Sequence, residues 1–181
     1  TYDFQDACVD DFRKHRFNIV LKSRQLGLST ISAGYAAWLA IFYKDKNILV
    51  IATKLSVAQN FIRKVKFVLN SMPKWLLLPE IVNNNKQALE FSNGSTIKAI
   101  PTSEDAGRSE ALTLLIVDEA AFVRNFDTIW TGLYPTLSTG GQAIVLSTPN
   151  GVGGQYYDIW MQAISGENMF NPIKLAWDVH P

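Results

Sequence analysis

The runs 17–21, 48–52, 112–117 and 142–146 of this chain are apolar at almost every position, and a further strand is expected over 172–177. A strand without polar alternation is covered on both faces. The stretches between these runs have helical periodicity. Ile31, Tyr35, Trp38 and Phe42 repeat along 29–43, and Ala58, Phe61, Ile62, Val65 and Leu69 line one side of a helix running to about residue 70. Helices are also expected over 3–13, 125–137 and 153–164. Such an alternation predicts an α/β fold, a mostly parallel central sheet with helices on both faces.

Asn93-Gly94 between 88–91 and 96–99 predicts a hairpin, added antiparallel at one sheet edge. Ser56 and Gln59 have the spacing of a capping box. Residues 73–86 read as irregular and 101–110 as a polar loop. No repeat or linker interrupts the chain, so residues 1–181 are read as one domain. It begins without Met and ends just after a strand, as a fragment of a longer chain would.

The formal net charge of +1 carries no argument for or against nucleic acid. Cys8 is the only cysteine, which excludes an intrachain disulfide and a cysteine zinc cluster and fits a reducing compartment. The N-terminus lacks the pattern of a signal peptide, and no run is long enough to span a membrane. Trp38, Phe42, Trp130 and Trp160 are expected in the core, and Lys54, Arg63, Lys64 and Lys66 on a solvated helix face.

The segment Lys22-Ser23-Arg24-Gln25-Leu26-Gly27-Leu28-Ser29-Thr30 lies between the first strand and a helix. A P-loop needs this context, because its turn points N–H groups inward and the helix end adds partial positive charge. The usual G-x-x-x-x-G-K-[ST] pattern is broken twice, with Lys22 in place of the first Gly and Leu28 in place of the Lys. Leu28 offers no cation to a triphosphate, so Lys22, or secondly Arg24, must supply it. Ser29 takes the Mg²⁺-binding hydroxyl role, with Thr30 as the alternative. Alone, the segment fits an ordinary strand–helix turn equally well.

Leu114-Leu115-Ile116-Val117-Asp118-Glu119 is an apolar strand ending in two acids. In an ATPase Asp118 would bind Mg²⁺ and Glu119 would polarise the attacking water. A plain polar strand exit is the other reading. Ser147-Thr148-Pro149 ends another apolar strand, and its hydroxyls are placed to sense the γ-phosphate. Gly153-Gly154 adds freedom beyond it.

At these residues the chain resembles the large subunit of tailed-bacteriophage terminases, most closely the N-terminal ATPase domain of the T4-like group. Ser23-Arg24-Gln25-Leu26-Gly27 resembles that family's Walker A start, and Ile116-Val117-Asp118-Glu119-Ala120-Ala121-Phe122 its Walker B. Ser147-Thr148-Pro149-Asn150-Gly151 resembles its coupling motif, and Tyr157-Asp158-Ile159-Trp160 continues the match. Such domains are similar to superfamily 2 helicases and other P-loop ATPases of the ASCE type. Members of the T4-like group have Lys where this chain has Leu28. Other terminase branches carry the lysine at the start of the motif, where Lys22 stands.

The resemblance implies ATP hydrolysis with Mg²⁺, driving double-stranded DNA into a viral procapsid. It implies nucleotide contacts along Lys22, Ser23, Arg24, Gln25, Leu26, Gly27, Leu28, Ser29 and Thr30. It also implies adenine recognition by Gln5, Arg24 as a finger in cis and Arg108 as one offered in trans. The implied partners are DNA, the portal protein, a small terminase subunit and sibling copies in a ring. The implied location is the host cytoplasm, with transient docking at the portal vertex. Related full-length chains carry a C-terminal nuclease. Asp127, Asp158 and Asp178 lack a convergent two-metal pattern, so no nuclease activity is expected in this fragment. A helicase-like ATPase, a nucleotide-binding module without turnover and a structural assembly protein are the competing classes.

Overall fold

The computed structural model describes residues 1–77, 79–102, 111–137 and 140–179. In chain order the elements are α1 (Asp3–Lys14), β1 (Phe17–Lys22), α2 (Leu28–Phe42), β2 (Asn47–Ala52), α3 (Leu55–Ser71), β3 (Ile81–Asn84), β4 (Ala88–Phe91), β5 (Thr96–Pro101), β6 (Leu114–Asp118), α4 (Phe126–Leu133), β7 (Gln142–Ser147), α5 (Gln155–Ser165) and β8 (Asn171–Leu175). The strands form one eight-stranded sheet in the order β3-β4-β5-β2-β6-β7-β1-β8. From β5 to β8 every neighbouring pair is parallel, whereas β3, β4 and β5 pair antiparallel. The expected class therefore holds: a P-loop ASCE arrangement, with β7 inserted between the strand of the glycine-bearing turn and the strand of the paired acids.

The central strands have no wet face because helices cover both. Along β2, Ile48, Val50 and Ala52 belong to the core shared with α1, α2 and α3, while Leu49 and Ile51 belong to the core shared with α4 and α5. The same alternation places Leu114 and Ile116 of β6 in the first core and Leu115 and Val117 in the second. Crossover handedness explains the partition. The connection from β1 to β2 travels one way across the sheet and carries α2. Those from β6 to β7 and from β7 to β8 travel the other way and carry α4 and α5. The direction reverses between β1 and β7, and open α/β sheets bind ligands at the carboxyl ends of strands at such a point.

α2 lies between the sheet, α1 and α3, and its small residues Ser32, Ala33, Ala36, Ala37 and Ala40 are all buried. Cys8 on α1 is buried too, and desolvation together with the nearby Asp11 charge pushes its thiol up to about 11, so it packs as a hydrophobe. Among the described residues no helix is long and apolar enough to cross a membrane.

Several expectations are corrected. α3 starts at Leu55 with Lys54 at the cap and no side-chain cap bond, so Ser56 and Gln59 lie inside the first helical turns and form no capping box. Part of the segment read as irregular is β3, which pairs with β4 and makes the antiparallel edge three strands wide. Its Asn83-Asn84-Asn85 looks like turn sequence. Only Asn85 acts that way, its Oδ1 accepting the N–H groups of Gln87 and Ala88 at 2.8 and 2.7 Å. Trp130 and Trp160 are buried and Trp38 packs against the first core, but Phe42, the last residue of α2, is exposed. Lys66 donates to the Asn85 carbonyl at 2.7 Å, in a solvent-exposed bond. Of the polar loop expected over 101–110, residues from 103 onward, Arg108 among them, lie outside the described residues.

Candidate active site

β1 ends at Lys22, and Ser23 N–H donates to the Leu175 carbonyl of β8 at 2.9 Å, which fixes the start of the turn. Gln25 (φ 63°) and Gly27 (φ 74°) are both left-handed, and together they reverse the chain so that α2 begins at Leu28. The amides of Leu28 and Ser29 have no intrahelical acceptor at this position. No acidic side chain stands in the first turn to neutralise them, so the helix end is open to an anion.

Gln5 is 8% exposed and braces this turn. Its Nε2 donates to the Leu26 carbonyl at 3.0 Å, and its Oε1 accepts from Tyr2 N–H at 3.1 Å. A Cβ at position 27 would come within 2.7 Å of Gln5 Nε2 in a backbone conformation L residues avoid, so only glycine fits. An adenine contact by Gln5 would use the hydrogen and lone pair these bonds leave over.

Leu28 itself is 2% exposed and belongs to the first core. The buried cation at the turn is Lys22, 7% exposed, whose Nζ donates to Glu119 Oε1 at 2.8 Å. The two residues are 97 positions apart, and β1 and β6 bring them together across β7. Glu119 Oε2 accepts from Thr148 N–H at 3.3 Å and Thr148 Oγ1 at 3.1 Å. Burial alone would raise this carboxyl. The hydrogen bond and charge of Lys22 outweigh burial, aided by Thr148, and the net shift is downward. Glu119 also has a left-handed backbone, φ 55°, which turns its side chain off the line of β6. That conformation costs roughly 1–2 kcal/mol for a residue with a Cβ.

Asp118 is the last residue of β6, on the α2 side by strand parity, and is 6% exposed. Its carboxyl shifts upward. Desolvation is the main cause, partly offset by the Ser29 hydroxyl and the Lys22 charge. Its Oδ1 is buried without a hydrogen-bond partner.

The segment after β7 is stitched to the acidic turn. Besides Thr148 on Glu119, Ser147 Oγ accepts from Ala121 N–H at 3.1 Å and Asn150 Nδ2 donates to the Ala121 carbonyl at 2.9 Å. Thr148 reaches the site, whereas Ser147 is fully buried behind it, and Pro149 lines an apolar cavity with Tyr156 and Trp160 on the far side.

A cavity of about 490 Å³ unites these groups. Lys22, Arg24, Gln25, Leu26, Gly27, Leu28, Ser29, Glu119 and Thr148 line it, so the expected phosphate turn, acid and coupling hydroxyl share one space. Lys64 and Phe122 line it too, and were not expected to. Arg24 reaches it from the exposed side of the turn, while Ser23 and Thr30 flank it without lining it. Glu119 also borders a second cavity of about 620 Å³, with Lys54, Thr102 and Arg124.

The family profile described as the N-terminal part of the T4-like-virus type terminase large subunit matches residues 19–179. This chain belongs to that terminase family. Among solved structures it is similar to the large terminase ATPase domain of Thermus phage P74-26, with 20% identity and a TM-score of 0.79 over 99% of this chain and 82% of that one. It is also similar to the large terminase of the thermophilic bacteriophage D6E in complex with ADP, with 15% identity and a TM-score of 0.78 over 98% of this chain and 46% of that one. The N-terminal domain of the DNA packaging ATPase from bacteriophage phi29 matches at 19% identity and a TM-score of 0.63, over 99% of this chain and 97% of that one. The terminase chain described here thus spans less than half of the D6E protein. At such identities the likeness carries the fold alone.

Mg²⁺ fits the terminase site on its own chemistry. Ser29 beside the orphaned, buried Asp118 oxygen supplies the hard oxygen donors this ion prefers. Among the described residues no three His, Cys, Asp or Glu side chains gather, so phosphate oxygens and water would complete the shell. The buried, unpartnered Asp118 oxygen carries a stability cost. Asp118→Asn is expected to raise the melting temperature of the nucleotide-free protein at neutral pH by about 2–5 °C, from ~1–2 kcal/mol of relieved desolvation. An upward-shifted carboxyl favours folding in its protonated form. Wild-type protein therefore gains relative to the variant as pH falls through the raised value, and the difference should narrow. Thermal melts at two pH values test this, and a lower melting temperature for Asp118→Asn at neutral pH would contradict it.

Proposed function

We propose that this domain hydrolyses ATP to ADP and phosphate and couples the reaction to movement of double-stranded DNA into a viral procapsid. The supporting observation is the meeting of the Lys22 ammonium, the Glu119 carboxylate and the Thr148 hydroxyl at one cavity, from three adjacent strand ends. The D6E large terminase has been solved with ADP and with ATP-γ-S, which supports a nucleotide in this fold.

In this reading the triphosphate lies on the turn 23–27, with its oxygens accepting from the free N–H groups at the start of α2. Ser29 and Asp118 would hold Mg²⁺, which would supply positive charge against the negative charge of the phosphates. Lys22 and Arg24 add cationic charge where negative charge builds on the transferred phosphoryl. The γ-phosphate competes with Glu119 for Lys22. Once Lys22 turns to phosphate, one Glu119 oxygen is free to accept a proton from the attacking water. The water oxygen bonds to γ-phosphorus as the β–γ bridging bond breaks, leaving ADP and phosphate. Thr148, bonded to the other Glu119 oxygen, carries the change into the segment after β7, with Ser147 and Pro149 behind it. Gln5 contacts the adenine edge, and Arg108 is offered to a neighbouring copy.

The partners in this account are DNA, the portal protein, a small terminase subunit and copies of the same chain in a ring, in the host cytoplasm and transiently at the portal vertex. DNA cutting is assigned to a separate nuclease unit. A second reading, nucleotide binding without turnover, draws on buried Leu28 and on the Lys22–Glu119 pair, which engages both groups when no nucleotide is bound. Phosphate release by the full-length protein, with Mg²⁺, DNA and procapsids, separates the two. DNA-stimulated release is the expected result. ATP binding with no release in the assembled state would leave only the second reading, and DNA unwinding by the full-length protein would favour a helicase-like ATPase.

A further inference from the structure

Three cationic side chains border the cavity of the phosphate turn: Lys22, Arg24 and Lys64. Lys22 is held by Glu119 at 2.8 Å. Lys64 comes from a different part of the fold. It sits mid-way along α3, half-buried, on the flank between the core positions Phe61 and Val65. Among the described residues it has no hydrogen bond and no ion pair. Its neighbours on the helix differ: Arg63 is exposed and borders neither cavity beside Glu119, and Lys66 is tied to the Asn85 carbonyl.

A half-buried ammonium with no hydrogen bond or ion pair has donors to offer, and an anion entering the cavity would accept from them. The side of the turn that lacks a cation is the start of α2, where Leu28 points into the core. Lys64 shares that side, lining the cavity together with Leu28 and Ser29. The lining charges then balance sensibly. Lys22 and Glu119 cancel, and Arg24 and Lys64 leave a net +2 facing the cavity, before Asp118 is counted behind it.

We propose that Lys64 is a phosphate-binding residue of this site, delivering from α3 the cation that the turn lacks at Leu28 and contacting the β/γ end of a nucleoside triphosphate. The inference rests on the nucleotide reading of the cavity and adds to it a ligand from outside the loop. A charge placed there discriminates by phosphate number. It strengthens triphosphate binding most, diphosphate less and monophosphate not at all.

The test is equilibrium binding of a non-hydrolysable ATP analogue, ADP and AMP to the full-length protein and to Lys64→Ala, Lys64→Gln, Lys64→Arg and Arg63→Ala, with thermal melts to verify folding. Lys64→Ala and Lys64→Gln should weaken the ATP analogue by about tenfold or more, the loss typical of one charge-assisted contact. ADP should weaken less and AMP should be unchanged. Lys64→Arg should recover most of the affinity, and Arg63→Ala should match wild type. Equal loss for all three nucleotides, or unchanged ratios of ATP-analogue to ADP affinity in both neutral variants, would overturn the assignment while leaving the nucleotide site in place. Absence of any nucleotide binding by the unmutated protein would overturn both.

Discussion

Glu119→Gln should abolish phosphate release, by about three orders of magnitude, while ATP binding is kept or tightened. The size of the loss follows from removing a positioned proton acceptor, an effect of roughly 10²–10⁴-fold. The direction of the binding effect follows from the contacts. Glutamine keeps an oxygen for Thr148 but no longer forms an ion pair with Lys22. Lys22 is then free for phosphate before nucleotide arrives, and ATP no longer has to displace a carboxylate from it. Single-turnover phosphate release and nucleotide titration measure the two quantities separately. Equal turnover in the variant would remove Glu119 from the water-activating role, and weakened ATP binding would contradict the competition for Lys22. Because the Glu119 carboxyl of the nucleotide-free protein is held below its ordinary range, the acid limb of kcat/KM should fall at a lower pH than that of a free carboxylate.

Lys22→Ala should cost more activity than Leu28→Ala, although Leu28 occupies the position where the usual motif has its lysine. Lys22 is 7% exposed and paired, so its removal leaves the Glu119 charge partly buried without its ion-pair partner and takes a cation from the cavity. Truncating one partner of a buried pair costs ~3–5 kcal/mol, and a loss of that order in transition-state stabilisation would be on the order of 10²–10⁴-fold in rate. Leu28 is 2% exposed in the first core, so Leu28→Ala acts through a cavity, at ~2–5 kcal/mol of stability, with little change in turnover per folded molecule. Phosphate release normalised to folded protein, beside a denaturant titration of each variant, tests the ranking. A larger drop in turnover for Leu28→Ala would defeat the relocated lysine.

The central strands were legible because burial on both faces writes itself into sequence as an uninterrupted apolar run. β2, β6 and β7 therefore fall within two residues of where the runs predict them. β3 was not legible, since an edge strand has solvent on one side and tolerates the same asparagines that favour turns. The ends of β1, β6 and β7 could be named individually, but the 2.8 Å contact between Lys22 and Glu119 depends on strand order, which periodicity does not encode. Lys64 was missed for a related reason. Helical spacing separates an inner face from an outer one, but a residue on the flank takes its character from whatever strand end lies beside it.

The reversal between β1 and β7 has a mechanical consequence. A ligand lodged at that seam touches α2, which belongs to one hydrophobic core, and the segment leading into α5, which belongs to the other. Among the described residues the two helical layers build separate cores on opposite faces of the sheet, so in the proposed function gaining or losing a phosphate at the seam would act as a wedge between two slabs. Its leverage would lie in tilting one slab against the other, without disturbing the packing inside either.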